Sequence, residues 1–118
     1  MATYNGEKYL REQVDSLLAQ SYPTLEFILV NDASSDSSAK ILQEYALSDS
    51  RIRLLTNPEN QGLLATFERG IRAAKGEMIA LSDQDDEWMP EKIRLLAGAI
   101  GSHSMIYADS ALTDAAGF

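Results

Sequence analysis

Short apolar runs alternate with helically patterned segments along the whole chain, and this alternation limits the fold more than any other feature. Leu10, Val14, Leu17 and Leu18 recur at helical spacing and predict an amphipathic helix over about residues 6–20. Tyr22-Pro23 ends it, because proline disfavours the α conformation in the residue before it. Leu25 to Val30 is apolar except for Glu26 and predicts a buried strand over 25–30. Asn31 to Ser38 is rich in Asp, Ser and Asn, the composition of a loop feeding a helix cap. Ile41, Leu42 and Tyr45 then mark one face of a second helix. Ile52 and Leu54 alternate with charged neighbours, which predicts a strand over 51–56, and Asn57-Pro58 signals a turn. Leu64, Phe67, Ile71 and Ala74 predict a third helix, with Gly76 as its C-cap. Met78 to Leu81 predicts a strand over 77–82. Pro90 suits the first position of a helix carrying Ile93, Leu96 and Ile100, and Met105 to Ala108 predicts a last strand over 105–108.

Strands separated by helices imply right-handed crossovers and one mainly parallel sheet with helices on both faces. The chain has 118 residues, enough for one domain, and its 45% hydrophobic content is ordinary for a packed core. In such sheets ligands bind beyond the carboxyl ends of the strands. Three polar segments lie there: Thr3-Tyr4-Asn5, Asn31-Asp32, and Asp83-Gln84-Asp85-Asp86.

The formal net charge is −8, and the 10 Lys and Arg residues are scattered, which argues against nucleic acid as a partner. A phosphate ester would need a cation to offset both charges. There is no cysteine, so disulfides and thiolate metal sites are excluded. No apolar run approaches the roughly 20 residues that span a bilayer, and no charged leader precedes an apolar stretch. The expected setting is cytoplasmic, with peripheral contact at the inner face of a membrane left open.

Asp83, Asp85 and Asp86 put three carboxylates within four residues. Their mutual repulsion is relieved by water, a cation or protonation. Oxygen ligands at a strand end suit Mg2+ or Mn2+, which bind a diphosphate as well and stabilise its departure. The plain alternative is an acidic surface loop before a helix, favoured by the helix dipole. An EF-hand is excluded, since Trp88 stands where that loop needs glycine. Asp32 could read a base imide or a ribose, or simply cap a turn. Tyr4 could stack on a base or sit in the core. Neither a dinucleotide fingerprint nor a Walker pattern occurs. His103 reads as a surface residue, and Trp88 as packing beneath the acidic loop.

Order and spacing bring these segments together. Thr3-Tyr4-Asn5-Gly6, Ser21-Tyr22-Pro23 with Leu25-Glu26-Phe27, Val30-Asn31-Asp32-Ala33-Ser34-Ser35-Asp36, Asn60-Gln61-Gly62, Gly76-Glu77-Met78-Ile79-Ala80 and Asp83-Gln84-Asp85-Asp86-Glu87-Trp88 closely resemble the inverting family-2 glycosyltransferases. Asp-Gln-Asp-Asp before Trp is similar to the rhamnosyltransferase-like branch. The resemblance covers essentially the whole chain.

It implies an α/β fold of the GT-A type, Rossmann-like, with a mainly parallel sheet flanked by helices. It implies a metal-dependent inverting transferase, using Mn2+ or Mg2+, that moves sugar from a UDP- or dTDP-linked donor to a saccharide or lipid-linked acceptor in cell-surface polysaccharide synthesis. By the same resemblance, Tyr4 stacks on the pyrimidine, and Thr3 and Asn5 belong to that nucleotide pocket. Asp32 reads the base imide and Asp83 holds the ribose or base side. Asp85 ligates the metal as the last Asp of the Asp-any-Asp motif, with Asp86 behind it or capping a helix.

Departures accompany the likeness. Many members carry Arg and Asn where Phe67 and Glu68 stand. Only Met1 and Ala2 precede Thr3, so most of the first strand is expected to be missing. The acceptor half and the catalytic base are expected beyond Phe118, and Asp109 and Asp114 fall earlier than that base. The whole of residues 1–118 then reads as the nucleotide-sugar-binding part of such a domain, truncated at both ends.

A noncatalytic nucleotide-sugar-binding module or an inactive fragment is the nearest alternative. A signalling receiver domain would need its acidic cluster after earlier strands and a Lys after the last, and neither is visible. A sugar nucleotidyltransferase would need a Gly-rich, basic loop where Asn5-Gly6-Glu7 stands.

Overall fold

The computed structural model describes residues 1–112. In chain order the elements are β1 (Ala2–Thr3), α1 (Leu10–Leu18), β2 (Phe27–Asn31), α2 (Ser38–Ser48), β3 (Ile52–Thr56), α3 (Leu63–Ala73) and α4 (Lys92–Ala99). Among the described residues the three strands form one parallel sheet in the order β1-β2-β3. Phe27 lies opposite Ile52 and Asn31 opposite Thr56, while Ala2 and Thr3 pair with Val30 and Asn31.

β2 is the middle strand and is covered on both faces, which explains its apolar run from Phe27 to Val30. Successive side chains alternate between faces. Phe27 and Leu29 join Leu10, Val14 and Leu17 of α1, Ile41 and Leu42 of α2, and Ile52 in one buried cluster. Ile28 and Val30 point the other way, to α3. There Gly70 lets the helix close on the sheet: a Cβ at this position would lie 3.3 Å from Val30 Cγ2 and 4.0 Å from Ile28 Cγ2. Helices thus cover both faces of a parallel sheet.

Two of the four predicted strands are present, over 27–31 and 52–56. The other two are not, and both expectations are corrected here. Residues 77–82 form no strand, and Met78, Ile79 and Leu81 remain half exposed. The edge nearest to them is β1, whose two residues are too few to template a six-residue ladder. Residues 105–108 likewise form no strand, and Met105 and Tyr107 are exposed.

Smaller differences have local causes. α3 ends at Ala73, and Gly76 is not a left-handed cap. Instead the Glu26 carboxylate accepts hydrogen bonds from the Lys75 and Gly76 backbone at 2.5 and 3.0 Å. The one charge in the β2 run therefore ties down the end of α3. Pro90 stands two residues before α4 rather than at its first position. Trp88 is buried under the acidic loop, its indole 4.0 Å from Lys92 Nζ, and His103 is exposed, both as the sequence suggests. No helix among the described residues is long and apolar enough to cross a membrane.

The core assignment is directly testable on one helix. Leu42 is fully buried and Leu47 is 83% exposed. Leu42→Ala is expected to cost about 2–5 kcal/mol, and Leu47→Ala no more than about 0.5 kcal/mol. Urea unfolding midpoints of the two variants check this, and equal shifts would contradict the assignment.

Candidate functional site

α1 and α2 lie on one face of the sheet and α3 on the other. In open parallel sheets ligands bind outside the carboxyl ends of the strands. Here the cleft has a volume of about 440 Å³. Its walls come from three places: Ala2, Thr3 and Tyr4 at the end of β1; Asp32 with Asn60, Gly62, Leu63 and Thr66; and Asp83, Gln84 and Asp85. Five of the six residues assigned to the nucleotide or the metal therefore line one cleft.

The exception is Asn5. It does not line the cleft. It adopts a left-handed conformation (φ 48°), which asparagine tolerates. Its side-chain oxygen accepts from the Ser35 backbone at 2.8 Å, and its own N–H donates to Ser34 Oγ at 3.1 Å. Asn5 thus braces the loop after β1 against the loop after β2.

Tyr4 is 48% exposed, so its ring is a cleft wall rather than a core residue. Thr3 is buried, and its hydroxyl has no hydrogen-bond partner. An orphaned hydroxyl of this kind is uncommon in a folded chain and calls for an explanation.

Asp32 is buried, with both carboxylate oxygens engaged. Oδ1 accepts from Asn57 Nδ2 at 2.6 Å and from the Gln61 N–H at 2.8 Å, and Oδ2 accepts from the Gly62 N–H at 2.9 Å. Burial pushes the Asp32 carboxyl up. The hydrogen bonds from Asn57, Gln61, Gly62 and Thr66 outweigh it and hold the group below its ordinary value. Asn57 is itself held, donating also to Thr66 Oγ1 at 3.2 Å and accepting from Arg69. Gly62 turns the chain into α3 at φ 83°, a conformation glycine adopts without strain. Asp32 therefore folds the loop of residues 57–62 over the end of β2, rather than capping its own Asp/Ser turn. Sequence reasoning missed Asn57 and Thr66; Asn57 had been legible only as a turn residue.

The acidic loop hangs from α1. Gln13, fully buried, donates to Ser82 Oγ at 2.5 Å, and the Trp88 N–H donates to Ser16 Oγ at 3.1 Å. Gln20 accepts from the Ile93 N–H at 3.0 Å and donates to the Met89 carbonyl at 2.9 Å. Desolvation against the loop, then the charges of Asp86 and Asp85, push the Asp83 carboxyl up, while the Met1 ammonium pulls it down. No three His, Asp or Glu side chains among the described residues gather tightly enough to hold a metal alone. Asp83 and Asp85 nevertheless both face the cleft as hard oxygen donors. That donor set fits a Mg2+ or Mn2+ ion, which takes one or two carboxylates and completes its shell with phosphate and water. Asp109 is exposed, and Asp114 lies outside the described residues.

Removing Asp32 tests the loop clamp. Asp32→Ala leaves three donors without their acceptor, and the expected loss is about 1–3 kcal/mol. The sign with pH follows from the lowered value. Asp32's contribution is complete above the unfolded-state value of about 3.9 and disappears as pH falls through the folded one. Urea titrations from neutral to acid pH should show Asp32→Ala with lower stability at neutral pH and a shallower acid decline. Parallel profiles would contradict the clamp.

Comparison with known proteins agrees with this geometry. Residues 1–113 match the family described as Glycosyl transferase family 2. The chain is 45% identical over 91 residues to the putative glycosyltransferase EpsH of Bacillus subtilis, covering 77% of this chain and 26% of EpsH. It is 36% identical over 91 residues to the putative teichuronic acid biosynthesis glycosyltransferase TuaG of the same organism, covering 77% of this chain and 36% of TuaG. Among solved structures it resembles S. aureus TarS 1-349 in complex with UDP, with a TM-score of 0.77 and 28% identity over 86% of this chain and 31% of that one. The chain thus spans between about a quarter and a little over a third of these relatives' length. With a GT-A-type parallel sheet, a cleft at the carboxyl ends of its strands and a family match across 1–113, the chain belongs to glycosyl transferase family 2.

Proposed function

We propose that residues 1–118 are the donor-binding part of a glycosyltransferase that transfers sugar from a UDP- or dTDP-linked donor to a saccharide or lipid-linked acceptor. The observation that carries this reading is the cleft that gathers an exposed ring, Tyr4, with Asp83 and Asp85 at the carboxyl end of the sheet. A nucleobase has an apolar face for the ring, and a diphosphate needs cationic neutralisation beside the carboxylates. Relatives support the same class. TarS has been crystallised with UDP and with UDP-GlcNAc, and TuaG is named for teichuronic acid biosynthesis. A role in cell-surface polysaccharide synthesis belongs to the proposal, as does a cytoplasmic setting with peripheral contact at the inner membrane face.

On this reading Tyr4 stacks on the pyrimidine, with Thr3 beside it. Asp32 reads the base imide with whatever acceptor capacity its internal bonds leave, and Asp83 holds the ribose side. Asn5 acts at one remove, by bracing the loop that carries Tyr4. Asp85, with Asp83 near it, would hold Mn2+ or Mg2+. When bound, that cation neutralises the diphosphate and stabilises its departure as a leaving group. Inverting displacement also needs a base at the acceptor hydroxyl. That base and the acceptor site are proposed to belong to the part of the relatives' length that this chain does not span.

Titration calorimetry with UDP and dTDP, with Mn2+ and with EDTA, tests the binding half. Weak binding is expected with the cation and none without it, because an acidic chain repels a bare diphosphate. Asp85→Ala should abolish the cation-dependent component. Asp86→Ala should weaken it less, by about 10–100-fold at most if its carboxylate orients the metal ligand. Equal affinity with and without cation would overturn the metal assignment, and a larger loss in Asp86→Ala would move it by one residue.

The chain by itself is expected not to transfer sugar. A positioned base contributes about 10²–10⁴-fold, and orientation of the acceptor about 7–11 kcal/mol in favourable cases. Nucleotide release from UDP- and dTDP-sugars, with and without saccharide acceptors, is the measurement. Acceptor-dependent release by residues 1–118 would show that a base lies within them.

A further inference from the structure

The middle of the acidic loop is fastened by a residue that neither the charge pattern nor the nucleotide pocket accounts for. Gln84 lies between Asp83 and Asp85 and turns its carboxamide onto the backbone of Tyr4. Its Oε1 accepts from the Tyr4 N–H at 2.9 Å, and its Nε2 donates to the Tyr4 carbonyl at 3.1 Å. One side chain thus satisfies both backbone groups of Tyr4, as a neighbouring strand would. The two residues are 80 positions apart in the chain.

The seat of this carboxamide is Gly6. A Cβ there would stand 2.5 Å from Gln84 Oε1 and 2.7 Å from its Cδ. Gly6 cannot easily retreat. Its N–H donates to buried Ser38 Oγ at 2.9 Å, and its carbonyl accepts from the Tyr9 and Leu10 N–H groups at 3.1 and 3.0 Å. Any side chain at position 6 would therefore displace Gln84 rather than the backbone.

The consequence is geometric. The loop is tied to α1 at Ser82 and at Trp88. Between those ties, Gln84 is its link to the end of β1. Asp83 and Asp85 flank the link, and both line the cleft together with Tyr4. We propose that Gln84 is a positioning residue, a latch seated on Gly6 that fixes the spacing between the ring wall and the carboxylate wall. On the proposed function, on which this inference rests, that spacing couples recognition of the base to cation-assisted recognition of the diphosphate.

Two measurements test the latch, and only one uses nucleotide. Amide hydrogen exchange by NMR reads the contact itself. In Gln84→Ala and in Gly6→Ala, the Tyr4 amide should exchange faster, by up to about tenfold for one lost hydrogen bond. The Asp32 amide, bonded to the Thr3 carbonyl at 2.8 Å in the parallel ladder, should keep its rate. Unchanged Tyr4 exchange in both variants would overturn the latch whatever the chain binds. Calorimetry then reads the coupling as the ratio of UDP affinity with Mn2+ to uridine affinity. Both variants should lower that ratio about tenfold or more, while uridine binding changes less. Gln84→Glu, which keeps an acceptor for the Tyr4 N–H but loses the donor, should fall between. An unchanged ratio in variants with accelerated Tyr4 exchange would overturn the coupling and leave the nucleotide reading standing. Failure of the unsubstituted chain to bind UDP with Mn2+ would overturn the nucleotide reading and the coupling together.

Discussion

Parallel pairing of β2 with both of its neighbours obliges the chain to cross back over the sheet between strands, and this return sets the geometry of the rest. Hairpins are ruled out, so α1 and α2 must supply the crossovers. Both lie on the face that Phe27 and Leu29 present. The next helix, α3, takes the face of Ile28 and Val30. With every strand pointing one way, the carboxyl ends share a single edge. The loops after β1 and β2 are neighbours there for topological reasons, before any side chain is considered. What the sequence puts in those loops then becomes a site.

Those loops leave backbone donors that no ladder reaches, and short polar side chains satisfy them. Asp32 accepts from Gln61 and Gly62. Asn5 accepts from Ser35. Asp36 accepts from Ser38 and Glu7 at 2.9 and 3.1 Å, which joins the start of α2 to the turn before α1. Gln84 does the same for Tyr4. Buried or crowded backbone groups left unpaired are costly. The richness of this edge in Asp, Asn, Gln and Ser is thus partly structural, whatever ligand it also serves. For Asp32 the two roles meet in one carboxylate, since the bonds that orient it also keep it ionised.

The legible part of the fold is the part decided locally. The runs at 25–30 and 51–56 are apolar enough to demand burial, and β2 and β3 lie within a residue or two of those bounds. The run at 77–82 makes the same demand, but a strand also needs an edge, and an apolar pattern does not report whether one exists. α3 was recognisable from Leu64, Phe67 and Ile71, yet Leu64 is 84% exposed and Ile71 42%. Its contact with the sheet is carried by buried Thr66 and by Gly70. Hydrophobicity identified the helix but not the residues that approach the sheet, because close approach favours small side chains. Tyr4, Asp32, Asp83 and Asp85 were legible as a set through family spacing, and the cleft brings them together. Asn57 and Gln84 were not, since each acts through a partner far along the chain.

Charge links the fold to its proposed chemistry. Asp83, Asp85 and Asp86 repel one another, and desolvation first, then this repulsion, makes Asp83 hold its proton more tightly. The loop cannot relax this by spreading, because α1 holds its ends and Gln84 its middle. A divalent cation would relieve the repulsion, but among the described residues no three such ligands gather to hold it alone. A diphosphate supplies oxygens of the right kind but meets a chain of net charge −8. Each ligand is thus poorly held without the other, and on the proposed reading each raises the affinity for its partner by the same factor. A pocket built this way stays open to solvent when the donor is absent. On the proposed reading its charge balance is complete only when nucleotide and cation are both bound.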